Sequence, residues 1–284
     1  YVALSYCWGG PQPVETTKAT LHRHLNALPM ERLPQTIKDA IAVTRGLKVK
    51  YLWVDALCII QDSLEDKAIE ISRMTDIYNL SHVTISASTA ATCQDGFLQQ
   101  RKLEKQPIKL RAKFSHVRKG NVLLMVDSQG DEPIHKRGWT MQEHLLAPRL
   151  LSFGSLCLEY RCLSGRRRDG GTPLPWNQQQ TGMPITEGGA QEDKSRVVAQ
   201  WANIVEAYTG RGLGFLDDRL NAISGIARKF CRPELGEYLA GLISFELPSQ
   251  LVWSRAASQT SLPRPKAYRA PSWSWAAIDG QVSF

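Results

Sequence analysis

The order of apolar segments predicts an α/β fold built on an open, mostly parallel sheet with helices on both faces. Three observations carry it. Strand and helix patterns alternate from Val2 to Ser88, as right-handed crossovers between parallel strands require. Tyr51 to Val54 is continuously apolar, as a strand covered on both faces should be. Polar residues (Ser5, Asp55) stand where these strands end, the side on which open α/β sheets bind ligands.

Taken in order, Val2 to Tyr6 reads as the first strand, closed by the turn-forming run Trp8-Gly9-Gly10-Pro11. Gln35 to Arg45 reads as a helix with Ile37, Ala40, Ile41 and Thr44 on one face, Pro34 near its start and Gly46 at its end. After the strand Tyr51 to Val54, Ser63-Leu-Glu-Asp66 resembles a capping box. The helix it opens should bury Leu64, Ala68, Ile71, Met74 and Tyr78. Val83 to Ser88 is the next strand. Trp139 to Leu146 is a helix stopped by Pro148, and Leu150 to Phe153 a further strand. Residues 164–193 are rich in Gly, Pro, Gln and Arg and read as a long loop of disordered-type composition. Beyond it, stripes through Val197, Trp201, Ile204, Val205 and Tyr208, through Leu220, Ile223 and Ala227, and a run Tyr238 to Ile243 predict a helical C-terminal accessory region. The end, Ala270-Pro-Ser-Trp-Ser-Trp-Ala276, alternates as a half-buried strand does. The expected division is therefore 1–163, 164–193 and 194–284.

Composition narrows the classes of function. At 284 residues with 43% apolar content the chain can bury a substantial core, and no apolar run approaches the roughly 20 residues of a membrane span. The six cysteines are scattered without a C-x-x-C pair, which fits a reducing, cytoplasmic setting. The chain opens inside a strand pattern without a signal peptide and reads as a piece of a longer protein. Of the net charge of +8, much falls in residues 101–119, where eight basic residues face the single acid Glu104. That segment reads as an inserted hairpin or lobe, kept soluble by its lysines. It carries one aromatic, Phe114, so specific nucleic-acid binding is not expected. No metal motif, P-loop or G-x-S-x-G is present, and Gly210-Arg-Gly-Leu-Gly214 lacks dinucleotide-fingerprint spacing.

Several unusual words follow one another: Ala3-Leu-Ser-Tyr-Cys-Trp-Gly9, then Leu52-Trp-Val-Asp-Ala-Leu-Cys-Ile59 with Gln61-Asp62, and Met74 with Ile77-Tyr78 before Val83-Thr-Ile85. Next come Arg137-Gly-Trp-Thr-Met-Gln-Glu143 with Arg149, Asp218-Arg219-Leu220, Ala222-Ile-Ser-Gly-Ile226, and Ala270-Pro-Ser-Trp-Ser-Trp275. In this order they resemble the fungal heterokaryon-incompatibility (HET) domain, which triggers death after unlike cells fuse. Leu4-Ser5-Tyr6 and Trp139-x-x-x-Glu143 also resemble the Toll/interleukin-receptor (TIR) fold, whose enzymatic members cut NAD with a glutamate. Thr140 stands where that family's helix has Cys.

The TIR likeness implies Glu143 as the catalytic carboxylate. It would stabilise the oxocarbenium-like charge that builds on ribose as nicotinamide leaves. Ser5, Tyr6, Trp8, Gly9, Asp55, Arg137 and Trp139 are the expected substrate-binding residues, with Trp139 and Glu143 sharing a helix face. NAD is then a substrate and no cofactor is implied. Plain alternatives stand beside each role: Glu143 paired with Arg137 or Arg149, Asp55 capping the next turn through Ser63 or backbone N–H groups, and the aromatics as core. A non-enzymatic death-signalling module that self-associates is the alternative function.

Overall fold

The computed structural model describes residues 1–101, 108–113, 119–124, 132–169, 194–231, 233–257 and 264–284. Its central sheet has six strands in the order β2-β1-β3-β6-β7-β8. The first four are β1 (Val2–Ser5), β2 (Leu52–Trp53), β3 (Val83–Ser86) and β6 (Arg149–Phe153), all parallel. β7 (Leu158–Cys162) and β8 (Gly165–Arg168) continue the sheet antiparallel, with Ser152 opposite Glu159 and Glu159 opposite Arg168. The architecture is thus α/β with a mixed, mostly parallel sheet. β4 (Ile108–Lys113) and β5 (Lys119–Leu124) form a separate hairpin, so the basic segment supplies one arm and the start of the other. The residues 102–107 and 114–118 of that segment lie outside the described residues.

Chain direction explains the layers. From β1 the chain crosses by α2 (Gln35–Gly46), after the short α1 (Leu21–Asn26), to β2 on one side. After α3 (Asp55–Cys58) it returns by α4 (Leu64–Asn79) to β3 on the other side of β1. Right-handed crossovers in opposite directions place their helices on opposite faces. The side chains agree. Val2, Leu4 and Tyr6 pack with Ile37 and Ala40 of α2, while Ala3 packs with Met74 and Tyr78 of α4 and with Leu146. α5 (Gly138–Leu146) joins the α4 face.

Beyond β8, α6 (Lys194–Thr209) and α7 (Asn221–Phe230) bury the expected Val197, Trp201, Ile204, Val205, Tyr208 and Ile223. Met141 of α5 lies in the same core.

Four expectations are corrected. Leu64 is 88% exposed and Ala68 is exposed, so α4 buries only its C-terminal half, through Met74, Thr75 and Tyr78. Gly165–Arg168, read as loop, is strand β8, held by pairing to β7; 170–193 lie outside the described residues. Tyr238 to Ile243 is not helical but a hairpin of β9 (Tyr238–Leu239) and β10 (Leu242–Ile243). Its turn places Ala240 at φ 45° and Gly241 at φ 103°, the backbone of a tight two-residue turn. Gly241 is required there, because a Cβ would sit 2.5 Å from Trp275 Nε1. Finally, Ala270 to Ala276 is turn and 3₁₀ helix, because the Ser274 hydroxyl caps it by accepting the Ala276 N–H at 3.0 Å. Trp275 is fully buried and donates to the Gly241 carbonyl, as Trp201 does, whereas Trp273 is 41% exposed.

Candidate functional site

The chain reverses direction across the sheet between β1 and β3, a switch point where open α/β sheets hold ligands at the carboxyl ends of their strands. Ser5 ends β1, Ser86 ends β3, and Asp55 opens α3 just beyond β2. α5, on the α4 face, brings Glu143 and His144 to the Ser5 hydroxyl.

Glu143 is buried, 7% exposed, and its carboxyl is pushed up to about 7. Loss of water is the main cause, and the Asp55 charge adds to it. Hydrogen bonding from the Ser5 and Tyr78 hydroxyls and the Arg137 charge pull the other way. Neither expected partner forms an ion pair with it: Arg149 donates to the His82 carbonyl instead, and Arg137 acts from a distance.

Asp55 is half-buried and also raised, mainly by desolvation. It accepts the Trp8 indole N–H at 2.9 Å and the Ala56 N–H at 2.6 Å. Ser63 is not its partner; that hydroxyl caps α4 through Asp66 N–H. Tyr6 is buried, and its hydroxyl donates to Gln12 at 3.2 Å. Burial and the nearby Asp55 raise that phenol well above its ordinary range. Gly9 has φ 69°, and a Cβ there would lie 2.5 Å from the Thr92 Cα, so glycine lets the loop after β1 meet the loop after β3. The Cys93 N–H donates to the Trp8 carbonyl across that junction at 3.1 Å.

Ser5, Asp55, Arg137 and Glu143 are therefore brought into one electrostatic neighbourhood, with Tyr6 and Trp8 around Asp55. Trp139 also reaches toward the C-terminal elements. Its indole donates to Asp218 at 3.3 Å, and its ring packs into two apolar clusters, one of them with α6 and α7. The second cluster contains Tyr78, which also neighbours Glu143, so the two side chains four residues apart on α5 have a common neighbour.

Sequence reasoning passed over His144, Arg161 and Arg211. His144 Nε2 lies 3.1 Å from the Ser5 hydroxyl, and burial with His135, Arg211 and Arg161 nearby holds the ring neutral, well below the usual histidine range. Arg161 reaches from β7 to the His144 carbonyl. Arg211 is brought in by its glycine-rich loop, which docks on the segment before α5. The Gly138 N–H donates to the Gly212 carbonyl at 2.7 Å and the Gly212 N–H to the Lys136 carbonyl at 2.6 Å. Burial lowers Arg211 to about 10. His144 adjoins Glu143 in sequence and could have been suspected; nothing local marks Arg161 or Arg211.

Among the described residues no group of His, Cys, Asp or Glu could hold a metal ion. No helix among them is long and apolar enough to cross a membrane.

The family model described as heterokaryon incompatibility protein (HET) matches residues 1–143, half of the chain, from β1 through Glu143. Heterokaryon incompatibility protein 6, OR allele, of Neurospora crassa is 30% identical over 95 residues, covering 30% of this chain and 14% of that protein. The chain thus matches a small part of that relative's length. No solved structure matches. The matched region contains β1, the Asp55 turn and the Glu143 helix, the elements that build the site just described, and the chain belongs to the heterokaryon incompatibility (HET) protein family.

Proposed function

We propose that this chain is a cytoplasmic cell-death effector domain of fungal heterokaryon incompatibility, acting by hydrolysis of the nicotinamide–ribose bond of NAD with Glu143 as the key carboxylate. The observation that carries this reading is a buried carboxyl poised near neutrality at the switch point of a parallel sheet. The bond from C1′ to the nicotinamide nitrogen breaks with its electron pair going to nitrogen, so nicotinamide leaves neutral. The ionised Glu143 stabilises the cationic sugar, water adds its hydroxyl to C1′, and a proton is released. Ser5 and Arg137 favour the charged form against the burial that opposes it. The parallel sheet with Glu143 near Ser5, the last residue of β1, supports the TIR likeness. Residues 1–163 form the effector core in this reading, 164–193 a connecting loop, and 194–284 an accessory layer.

The test is expression in fungal cells with NAD measured in the same cells. The intact chain should be toxic and deplete NAD, and Glu143→Gln should abolish both while the protein still folds. Toxicity with steady NAD would favour the second reading, a self-associating signalling module. That reading is supported by the exposure of large apolar residues such as Tyr268 (84%), Phe215 (76%) and Val252 (73%).

A further inference from the structure

Three half-buried arginines, Arg166, Arg168 and Arg269, and the exposed Arg101 are met by carboxylates. Arg166 and Arg168 hold Glu159 at 2.7 and 2.9 Å, Arg101 pairs with Asp169, and Arg269 holds Asp279 at 2.7 Å. The three half-buried arginines beside α5 are different, as is the buried Arg219, which bonds the Gly280 carbonyl. Among the described residues no carboxylate lies within ion-pair distance of Arg137, Arg161 or Arg211. Arg211 reaches only the Arg137 carbonyl, at 3.5 Å, and Arg161 only the His144 carbonyl. Arg137 has only the more distant charges of Glu143 and Asp55, and Arg161 that of Glu159. Partly desolvated cations with no close anion are costly unless something completes them.

Their placement says what that is. Arg137 precedes α5, Arg211 lies against Arg137, and Arg161 grips the carbonyl of the residue after Glu143. Arg161 and Arg211 lie near His144, whose Nε2 is 3.1 Å from the Ser5 hydroxyl, and Arg137 lies near Glu143 and Asp55. Guanidinium groups present planar forks that match phosphate oxygens two at a time.

We infer that Arg137, Arg161 and Arg211 form a binding rim for the diphosphate group of a nucleotide, with Arg211 supplied by the glycine-rich loop that follows α6. This assignment rests on the NAD reading of the site and deepens it. Acid and base are divided between two ends, Glu143 for the cationic nicotinamide and the arginines for the diphosphate. The Gly210–Gly214 run thus serves a nucleotide without being a dinucleotide fingerprint: it places one arginine by backbone pairing.

The test uses the full chain at low ionic strength and measures binding, not turnover. Inorganic pyrophosphate, ADP-ribose and adenosine are titrated against the wild type, Arg211→Gln, Arg161→Gln and the hairpin control Lys109→Gln/Arg111→Gln. Pyrophosphate and ADP-ribose should bind the wild type and the hairpin control alike, with ADP-ribose the tighter, and adenosine weakly. Arg211→Gln and Arg161→Gln should each weaken both phosphate ligands about tenfold or more, as loss of a charge-assisted bond does. Arg211→Lys, which keeps the charge and loses the fork, should fall between, and decides the matter if Arg211→Gln does not fold. Wild-type affinity in both glutamine variants, an equal loss in the hairpin control, or pyrophosphate binding without ADP-ribose binding would overturn the proposal. Pyrophosphate and ADP-ribose binding retained in Glu143→Gln, with no NAD cleavage by the wild type, would sink the enzymatic reading and leave the rim standing.

Discussion

The side-chain carbonyl of Gln142 accepts the backbone N–H of Gly225 at 2.8 Å, joining the helix that carries Glu143 to the first turns of α7. Both residues are buried, and Gly225 admits no side chain: a Cβ would lie 2.1 Å from Thr75 Oγ1 and 2.7 Å from Gln142 Oε1. α4, α5 and α7 therefore meet at one point where only glycine fits.

Gly225→Ala should destabilise the protein by about 2 kcal/mol or more, the scale of overpacking a tight core. Thr75→Ala in the same chain should recover part of that loss, because it removes the nearest atom. Denaturant midpoints of the two single variants and the double variant check this, and strict additivity would contradict the shared contact.

Glu143 makes stability depend on pH in a stated direction. Its folded pKa, about 7, lies above that of an unfolded glutamate, so the native state binds more protons between the two values. Stability is fullest at acid pH near the unfolded value and falls as pH rises through about 7. Glu143→Gln should thus be close to neutral at pH 5 and stabilising at pH 8, by up to about 3 kcal/mol. Unfolding curves at the two pH values decide it; an equal effect at both would mean that the carboxyl is not shifted.

The same ionisation sets the proposed chemistry. NAD cleavage should climb with pH through the neutral region as the carboxylate forms, and Glu143→Gln should lose roughly 10²-fold or more in rate. Nicotinamide release, followed from pH 5.5 to 8.5, provides the profile. A flat profile would remove Glu143 from the charge-stabilising role.

Truncation after Asp169 should give insoluble protein. Met141, Trp139 and Leu145 of α5 pack into the core that α6 and α7 complete, and removal of residues 194–284 would bare them. A soluble 1–169 fragment with a cooperative melt would establish two independent units.

Gly9→Ala should cost about 2 kcal/mol or more, since it forces a positive φ on a residue with a Cβ and drives that atom into the Thr92 backbone. A lowered thermal midpoint with an unchanged spectrum is the expected result.

Much of the parallel sheet was legible because its signals are local. Val2 to Ser5 and Val83 to Ser86 are short buried runs, and Ser63 does cap α4. Tyr238 to Ile243 was misread because a six-residue apolar run has no decisive period, and the deciding contact, Gly241 against Trp275, spans 34 positions. Arg166-Arg167-Arg168 read equally as a solvated loop or an edge strand, because the pairing with β7 that makes it an edge strand is invisible in composition. At the site, Asp55 was visible as a carboxyl ending an apolar strand, and Glu143 through its spacing from Trp139 in a TIR-like pattern. Arg211 was not, since only the docking of Gly212 on Lys136 and Gly138 brings it there.

The two margins of the six-stranded sheet bear on how copies of this chain could join. One margin is β2, two residues long. The other is β8, whose Arg166 and Arg168 grip Glu159 of the neighbouring strand. A short strand offers too few free backbone groups to template another chain, and a charged one repels a like-charged copy. Assemblies of this protein that grow by strand addition are thereby discouraged at both ends. Higher-order states are thereby directed away from the central sheet's margins to surfaces that can separate again without unzipping its ladder of backbone hydrogen bonds.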